Sequence, residues 1–415
     1  MSQTSESPVV AFAPKGEGSL RRWLDAIEID TRLLAMIGTL IAIGIVFGIA
    51  TDGIFLTPRN LFNLTLQTSV VAIMAAGMVI VIVSRHIDLS VGSQVGFLGV
   101  LAATLQVHVF ASGAGYNWIA SLLLTLLAGA AVGAIHGYWI AYRGLPSFIV
   151  TLAGLLGWRG AAWLLAKGTN ISPMEERFQL LGGGLEGTLG AFWSWVAGIA
   201  AILVMAALAF AARARRHRFG FAVRPLAVEW GIVVVFAAVV VAFVATMNAY
   251  LHPIRKVPMG IPIPVMLLIL AVVLMSVVTG MTKFGRYVYG IGGNPEAAVL
   301  AGINVKLTTL LIFAIMGALT ALSACVSIAR LNAAPTSLGE MEELRVIAAA
   351  VIGGASLSGG VGTVAGAIIG ALIMQSLTNG MLLIGIQSAL QQIILAIVLV
   401  LAVWFDVAFQ KRRAR

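Results

Sequence analysis

The sequence predicts an all-α integral membrane protein that crosses the bilayer about eleven times, with one further broken or re-entrant element. Three observations predict it. Of 415 residues, 60% are hydrophobic and only 10% charged, against about 25% charged in soluble domains, so the chain lacks the polar surface a water-facing globule needs. The mean hydropathy is +1.02. Finally, the apolar residues fall into runs of about 20, the length that spans a hydrocarbon core, and the basic residues gather between them.

Taken in order, a polar segment 1–32 precedes the first apolar run and is too long and polar at its start for a cleavable signal peptide. Spans are expected at 33–50, 61–83, 91–111, 118–142, 148–165, 191–212, 229–247, 264–280 and 307–328. The C-terminal part is less regular: a short half-helix at 344–352, a Gly/Ser loop, a run at 364–377 and a full span at 387–405. The chain thus divides into segment 1–32, a membrane domain 33–405 and a basic tail 406–415. Cytoplasmic loops are enriched in Lys and Arg. With both termini inside, the inner segments collect most of the 26 basic residues, including Arg213, Arg215, Arg216, Arg218, Lys283 and Arg286. The net charge of +10 therefore marks topology in a membrane of lipid, and no nucleic-acid partner is expected.

The single cysteine, Cys325, lies in an apolar run and supports neither a disulfide framework nor a metal site. No metal-ligand or paired-carboxylate pattern suggests catalysis, so no enzyme activity is expected. No Gly-x-x-x-x-Gly-Lys-[Ser/Thr] loop occurs, and the Gly-rich stretch 353–360 lacks the lysine that cradles phosphates. A hinge or broken helix is the expected use of that stretch.

The loop 281–306 carries the most specific local signal. Asn294 is a strong N-cap, Pro295 suits the first helical position, and Glu296 complements the helix dipole. Ala297 and Ala298 continue the turn and Gly302 can end it, so a short capped helix is expected outside the membrane. An interfacial connector and a docking element fit the pattern equally.

Ionisable groups at Arg85, His86 and Asp88 stand between two spans, where charge is costly and tends to face a pathway or a partner. Three readings apply. Asp88 pairs with Arg85 in a polar gate that caps the helix after Leu89; His86 and Asp88 relay protons in a secondary transporter acting alone; or all three sit in a turn at the headgroups. Arg159 is either a pathway residue or a local structural partner. The polar residues Thr65, Gln67, Thr68, Ser69, Gln375, Asn379 and Gln391 either line a route or hydrogen-bond between helices. Glycines at four-residue spacing (Gly44/Gly48, Gly129/Gly133, Gly362/Gly366/Gly370) predict close helix crossings within one subunit. Leu89-Ser90-Val91-Gly92 is echoed by Leu357-Ser358-Gly359-Gly360, in keeping with an internal duplication, and transporter repeats place pathways at their interface.

Four segments together resemble the permeases of sugar-type ABC importers, the ribose/xylose/galactose branch. They are Gly292-Gly293-Asn294-Pro295-Glu296-Ala297-Ala298 with Gly302-Ile303-Asn304; Ile87-Asp88-Leu89-Ser90-Val91-Gly92-Ser93; Pro146 to Leu152 followed by Arg159-Gly160; and Glu343-Leu344 with 347–360. Three spans, 191–212, 229–247 and 264–280, stand between the preceding periplasmic loop and the 281–306 loop where ribose-type permeases have one, as in the longer xylose type. Thr51-Asp52-Gly53 and Ala402-Val403-Trp404-Phe405-Asp406 resemble that type too. Arg85-His86 depart from the small or acidic residues usual there.

The resemblance implies a permease homodimer in the bacterial inner membrane that imports a monosaccharide, a pentose such as xylose. It implies an ABC ATPase on the cytoplasmic face, which uses the ATP, and a periplasmic sugar-binding protein; this chain itself binds no cofactor. Gly293, Asn294, Pro295, Glu296, Ala297, Ala298 and Gly302 would couple to the ATPase. Arg85, Asp88, Ser90, Ser93, Arg159 and Asn379 would line the pathway or its gate.

Overall fold

A computed structural model describes residues 31–110, 117–220 and 226–413. The expectations for segment 1–30, Ala111, Arg224 and residues 414–415 concern positions outside them. The described residues form fifteen α-helices: α1 (Thr31–Ala50), α2 (Pro58–Val83), α3 (Val91–Thr104), α4 (Asn117–Ala141), α5 (Ser147–Ala166), α6 (Glu176–Gln179), α7 (Gly190–Arg218), α8 (Leu226–Ala249), α9 (Ile263–Met281), α10 (Lys283–Gly293), α11 (Pro295–Leu300), α12 (Val305–Leu331), α13 (Glu342–Ile352), α14 (Val364–Leu383) and α15 (Ser388–Arg413). Ten are long and apolar enough to cross a membrane. α15 covers the eleventh expected run and α13 the half-helix. A π-turn at Leu105–Val109 prolongs α3, and α14 runs one turn and a half beyond the expected end.

The bundle is built around α2. From Val70 to Val83 every side chain is buried, as expected of a helix that is apolar all round. α12, α13 and α14 pack directly on it, and α4 lies along the far side of α12. Small residues set these distances. A Cβ on Gly133 would strike the Phe313 carbonyl, and one on Gly317 the Gly129 carbonyl; Gly366 and Gly370 press on Gly353 and Ala349. These backbones touch because nothing stands between them. Gly44 breaks the expectation: open space surrounds it, and its spacing marks no crossing within the chain.

α7 and α8 form an antiparallel pair at the margin, with Leu203, Leu208, Val234, Val235 and Val239 fully on the outside. At the end of the bundle remote from the 281–306 loop, Ile171 and Ala334 exchange a short antiparallel bridge. An exposed Glu186–Arg255 ion pair of 2.6 Å ties the loops after α6 and α8 together.

Candidate functional site: an interrupted helix beneath the 281–306 loop

α2 ends in a glycine-type cap that lacks a glycine. The amide of Arg85 bonds the Ile82 carbonyl at 2.9 Å and that of His86 the Val81 carbonyl at 3.0 Å, the double bond pattern of a Schellman motif. Arg85 fills its left-handed position at φ 66°, which costs a side-chain-bearing residue about 1–2 kcal/mol. Its guanidinium leaves the membrane core and crosses to the neighbouring loop. Nε donates to the Gly292 carbonyl at 2.7 Å and a terminal nitrogen to the Gly293 carbonyl at 2.8 Å. These are among the last carbonyls of α10, which have no donor within the helix. The gate reading paired Arg85 with Asp88; that pair does not form, because the cap aims the two side chains apart.

After the cap, residues 86–90 form no regular element, and Ser90, at φ −90° and ψ −9°, already turns toward α3. Asp88 is buried and accepts from the Ser90 amide at 2.9 Å and its hydroxyl at 2.5 Å. The Ser90 hydroxyl also receives Gln94 Nε2 at 2.7 Å and lies 3.4 Å from His136 Nδ1. Trp158 donates its indole N–H to His136 Nε2 at 3.0 Å. That bond fixes the imidazole as the neutral tautomer protonated on Nδ1, so His136 donates toward Ser90, which donates onward to Asp88. The start of α5 grips the same segment: Ser147 Oγ receives the Ile87 amide at 3.4 Å, and Thr151 donates to the Ile87 carbonyl at 3.3 Å.

The first turns of the spanning helix α3 and the half-helix α13 meet. Gly92 lies against the Gly339 carbonyl and the Glu343 carboxylate, and Gly96 against the Leu338 carbonyl and Arg159. Arg159 donates to the carbonyls of Leu338 at 2.8 Å and Thr336 at 3.4 Å, so it braces the segment that feeds α13. Asp88 Oδ2, Ser93 Oγ, Gln94 Oε1 and Glu343 Oε2 are buried here with no hydrogen-bond partner among the described residues. Irregular backbone of this kind survives inside a membrane bundle only where protein shelters it or a cavity meets it.

The 281–306 loop folds as two helices. Thr282 caps α10 by accepting from the Gly285 amide at 3.1 Å, and Val288 and Ile291 face inward. Asn294 caps α11 through the Ala297 amide at 3.0 Å. Gly302, at φ 78°, follows the end of α11. Val299 and Leu300 stand 60% and 89% exposed. Besides Arg85, Tyr289 fixes the loop to the bundle by donating its hydroxyl to the Gly362 carbonyl at 2.6 Å. The Gly360 amide meets the Val83 carbonyl at 2.9 Å. Burial pushes the Tyr289 phenol above its ordinary pKa, so it remains a donor throughout the physiological range.

The structure thus gathers Arg85, Asp88, Ser90, Ser93, Arg159 and the 293–302 helix at one end and centre of the bundle. Asn379 stands apart: it accepts from Asn60 at 2.9 Å near the first turn of α2. Gln375 and Gln67 make a second pair, at 2.7 Å. These are interhelical hydrogen bonds. His86 turns its ring to Phe313, with centroids 5.7 Å apart, and no hydrogen bond joins it to Asp88. Sequence reasoning missed His136, Trp158, Gln94, Ser147 and Thr151. A lone histidine inside an apolar span was the available signal for His136.

A half-helix that meets the first turn of a membrane span, beside a structured loop outside the spans, defines the class: a membrane transport subunit. Residues 60–229 and 230–403 match the family described as branched-chain amino acid transport system, permease component. The chain is 38% identical to the xylose transport system permease protein XylH of Escherichia coli K12 over 412 residues, covering 99% of this chain and all of the relative. Its likeness to the Haemophilus influenzae protein of the same name is 40% over 376 residues, 90% of this chain and 96% of the relative. The ribose import permease protein RbsC of E. coli K12 is 32% identical over 373 residues, 90% and 92% of the two chains. No solved structure matches. The chain belongs to this family of multi-pass membrane permeases.

Proposed function

We propose that the chain is the membrane subunit of an ATP-driven importer that carries a monosaccharide, a pentose of the xylose type, across the bacterial inner membrane. The relatives whose names specify xylose support the cargo. The observation that carries the mechanism is the convergence of four segments, distant in sequence (at His136, Ser147–Thr151, Gly292–Gly293 and Gly360), on residues 83–90. In this reading two copies of the chain flank the path, and both termini face the cytoplasm. A periplasmic sugar-binding protein delivers cargo to the outer face. An ATPase partner, which binds and hydrolyses the ATP, docks on α11, where two aliphatic side chains stand exposed beside the Asn294 cap. Buried oxygens around the first turns of α3 and α13 are the groups a hydroxyl-rich solute meets as the spans part.

The test is Glu296→Lys, or deletion of Pro295 and Glu296, in the assembled transporter. The fold and unfolding midpoint should persist while ATP-driven uptake falls at least about tenfold, the scale of a typical coupling energy. Uptake at the wild-type level would remove the docking role. Uptake by this chain alone under a pH gradient would replace the whole reading with a proton-coupled one.

A further inference from the structure

We propose that Arg85 is the positioning residue through which movement of the 281–306 loop reaches both α3 and α13; this rests on the proposed docking of a motor subunit at α11. Three features of the structure carry it.

The first is its backbone. The left-handed slot of a Schellman cap is the position where glycine is the least strained choice. An arginine there accepts a conformational cost, and its side chain makes the only use of that position that a glycine could not.

The second is where the guanidinium goes. Its two hydrogen bonds end on Gly292 and Gly293, immediately before the Asn294 cap of α11. The planar fork holds both carbonyls together, so a displacement of α11 draws on Arg85 directly. From Arg85 only two residues of chain separate the loop from the buried Asp88–Ser90–His136 network that starts α3.

The third is the other neighbour. Gly359 presses against the aliphatic stem and Nε of Arg85. The Gly360 amide bonds Val83, and Tyr289 of α10 bonds Gly362. The 353–363 loop, which follows α13, is therefore held at the same junction. One side chain thus lies between the outer loop, the segment entering α3 and the loop leaving α13. Coupling between sites needs a contiguous element that both bias, and this junction supplies one.

Arg85→Gly and Arg85→Lys test it, measured in proteoliposomes with the ATPase and binding partners. Arg85→Gly relaxes the backbone and deletes the tie. The unfolding midpoint should hold or rise and ATP hydrolysis should continue, while sugar carried per ATP falls about tenfold or more. Arg85→Lys should recover part of that loss, since an ammonium can reach one carbonyl where the guanidinium holds two. Amide exchange across 86–92 should respond to nucleotide in the wild type and not in Arg85→Gly. Wild-type sugar per ATP in Arg85→Gly, or a loss that only follows a lowered unfolding midpoint, would overturn the proposal. An unsubstituted chain that carries no sugar with ATP would instead overturn the permease reading on which it stands.

Discussion

The centre of the bundle and the α7–α8 hairpin are written in equally apolar sequence, yet they live in different solvents. In α2, 94% of the apolar stretch is buried by protein; in α7 the figure is 6% and in α8 17%. Lipid is as apolar as leucine, so burial between helices is not driven by hydrophobicity here. What separates the regions is glycine at backbone-to-backbone contacts and polar side chains paired across helices, for α7 is itself rich in alanine. The centre has Gly129, Gly133 and Gly317 at backbone contacts, and Asn60, Gln67, Gln375 and Asn379 paired across helices. The hairpin's Gly231 faces open space. Apolarity says that a segment is in the membrane; steric detail says whether it touches protein or lipid.

Substitutions can sharpen or break that contrast. The largest effect is expected for Gly317→Leu, which forces α12 off α4 and should lower stability by about 3 kcal/mol, read as the unfolding midpoint in detergent. A midpoint unchanged there would mean that close backbone approach does not hold the centre. Asn379→Leu should cost about 1 kcal/mol, the scale of one interhelical hydrogen bond in a membrane. It should leave sugar transport per folded molecule intact; a selective transport loss would return Asn379 to the pathway. Gly231→Leu should lie within about 0.5 kcal/mol of wild type, as surface changes do. A large loss would show that the hairpin's outer face is covered by protein.

Much of this was legible beforehand, because span length and hydropathy follow from bilayer thickness alone. The spans, the half-helix before Gly353 and the Asn294 cap all lie where expected. The 281–306 stretch reads as a loop with one short helix, and α10 is a helix its pattern does not show: four glycines in eleven residues argue against one. Tertiary contact explains Gly292, which packs directly on the Val83 carbonyl, where no larger residue fits; Gly285 lies against the Val278 and Thr279 carbonyls, and Gly293 has open space around it. The target of Arg85 was hidden for a related reason. Its direction is set by a left-handed backbone angle, and nothing in the local pattern announces a positive φ at arginine. The Asp88–Ser90–His136–Trp158 chain joins three helices, and a one-dimensional motif shows only its first two members.

The most direct measurement of the central claim, that α11 is a grip for a motor on the inner face, is the accessibility of Leu300→Cys. Native Cys325 is buried and leaves little background. The account predicts that a membrane-impermeant thiol reagent labels Leu300→Cys in inside-out vesicles but not in intact cells, and that bound ATPase blocks the reaction. Labelling from outside intact cells would place α11 on the wrong face and contradict it.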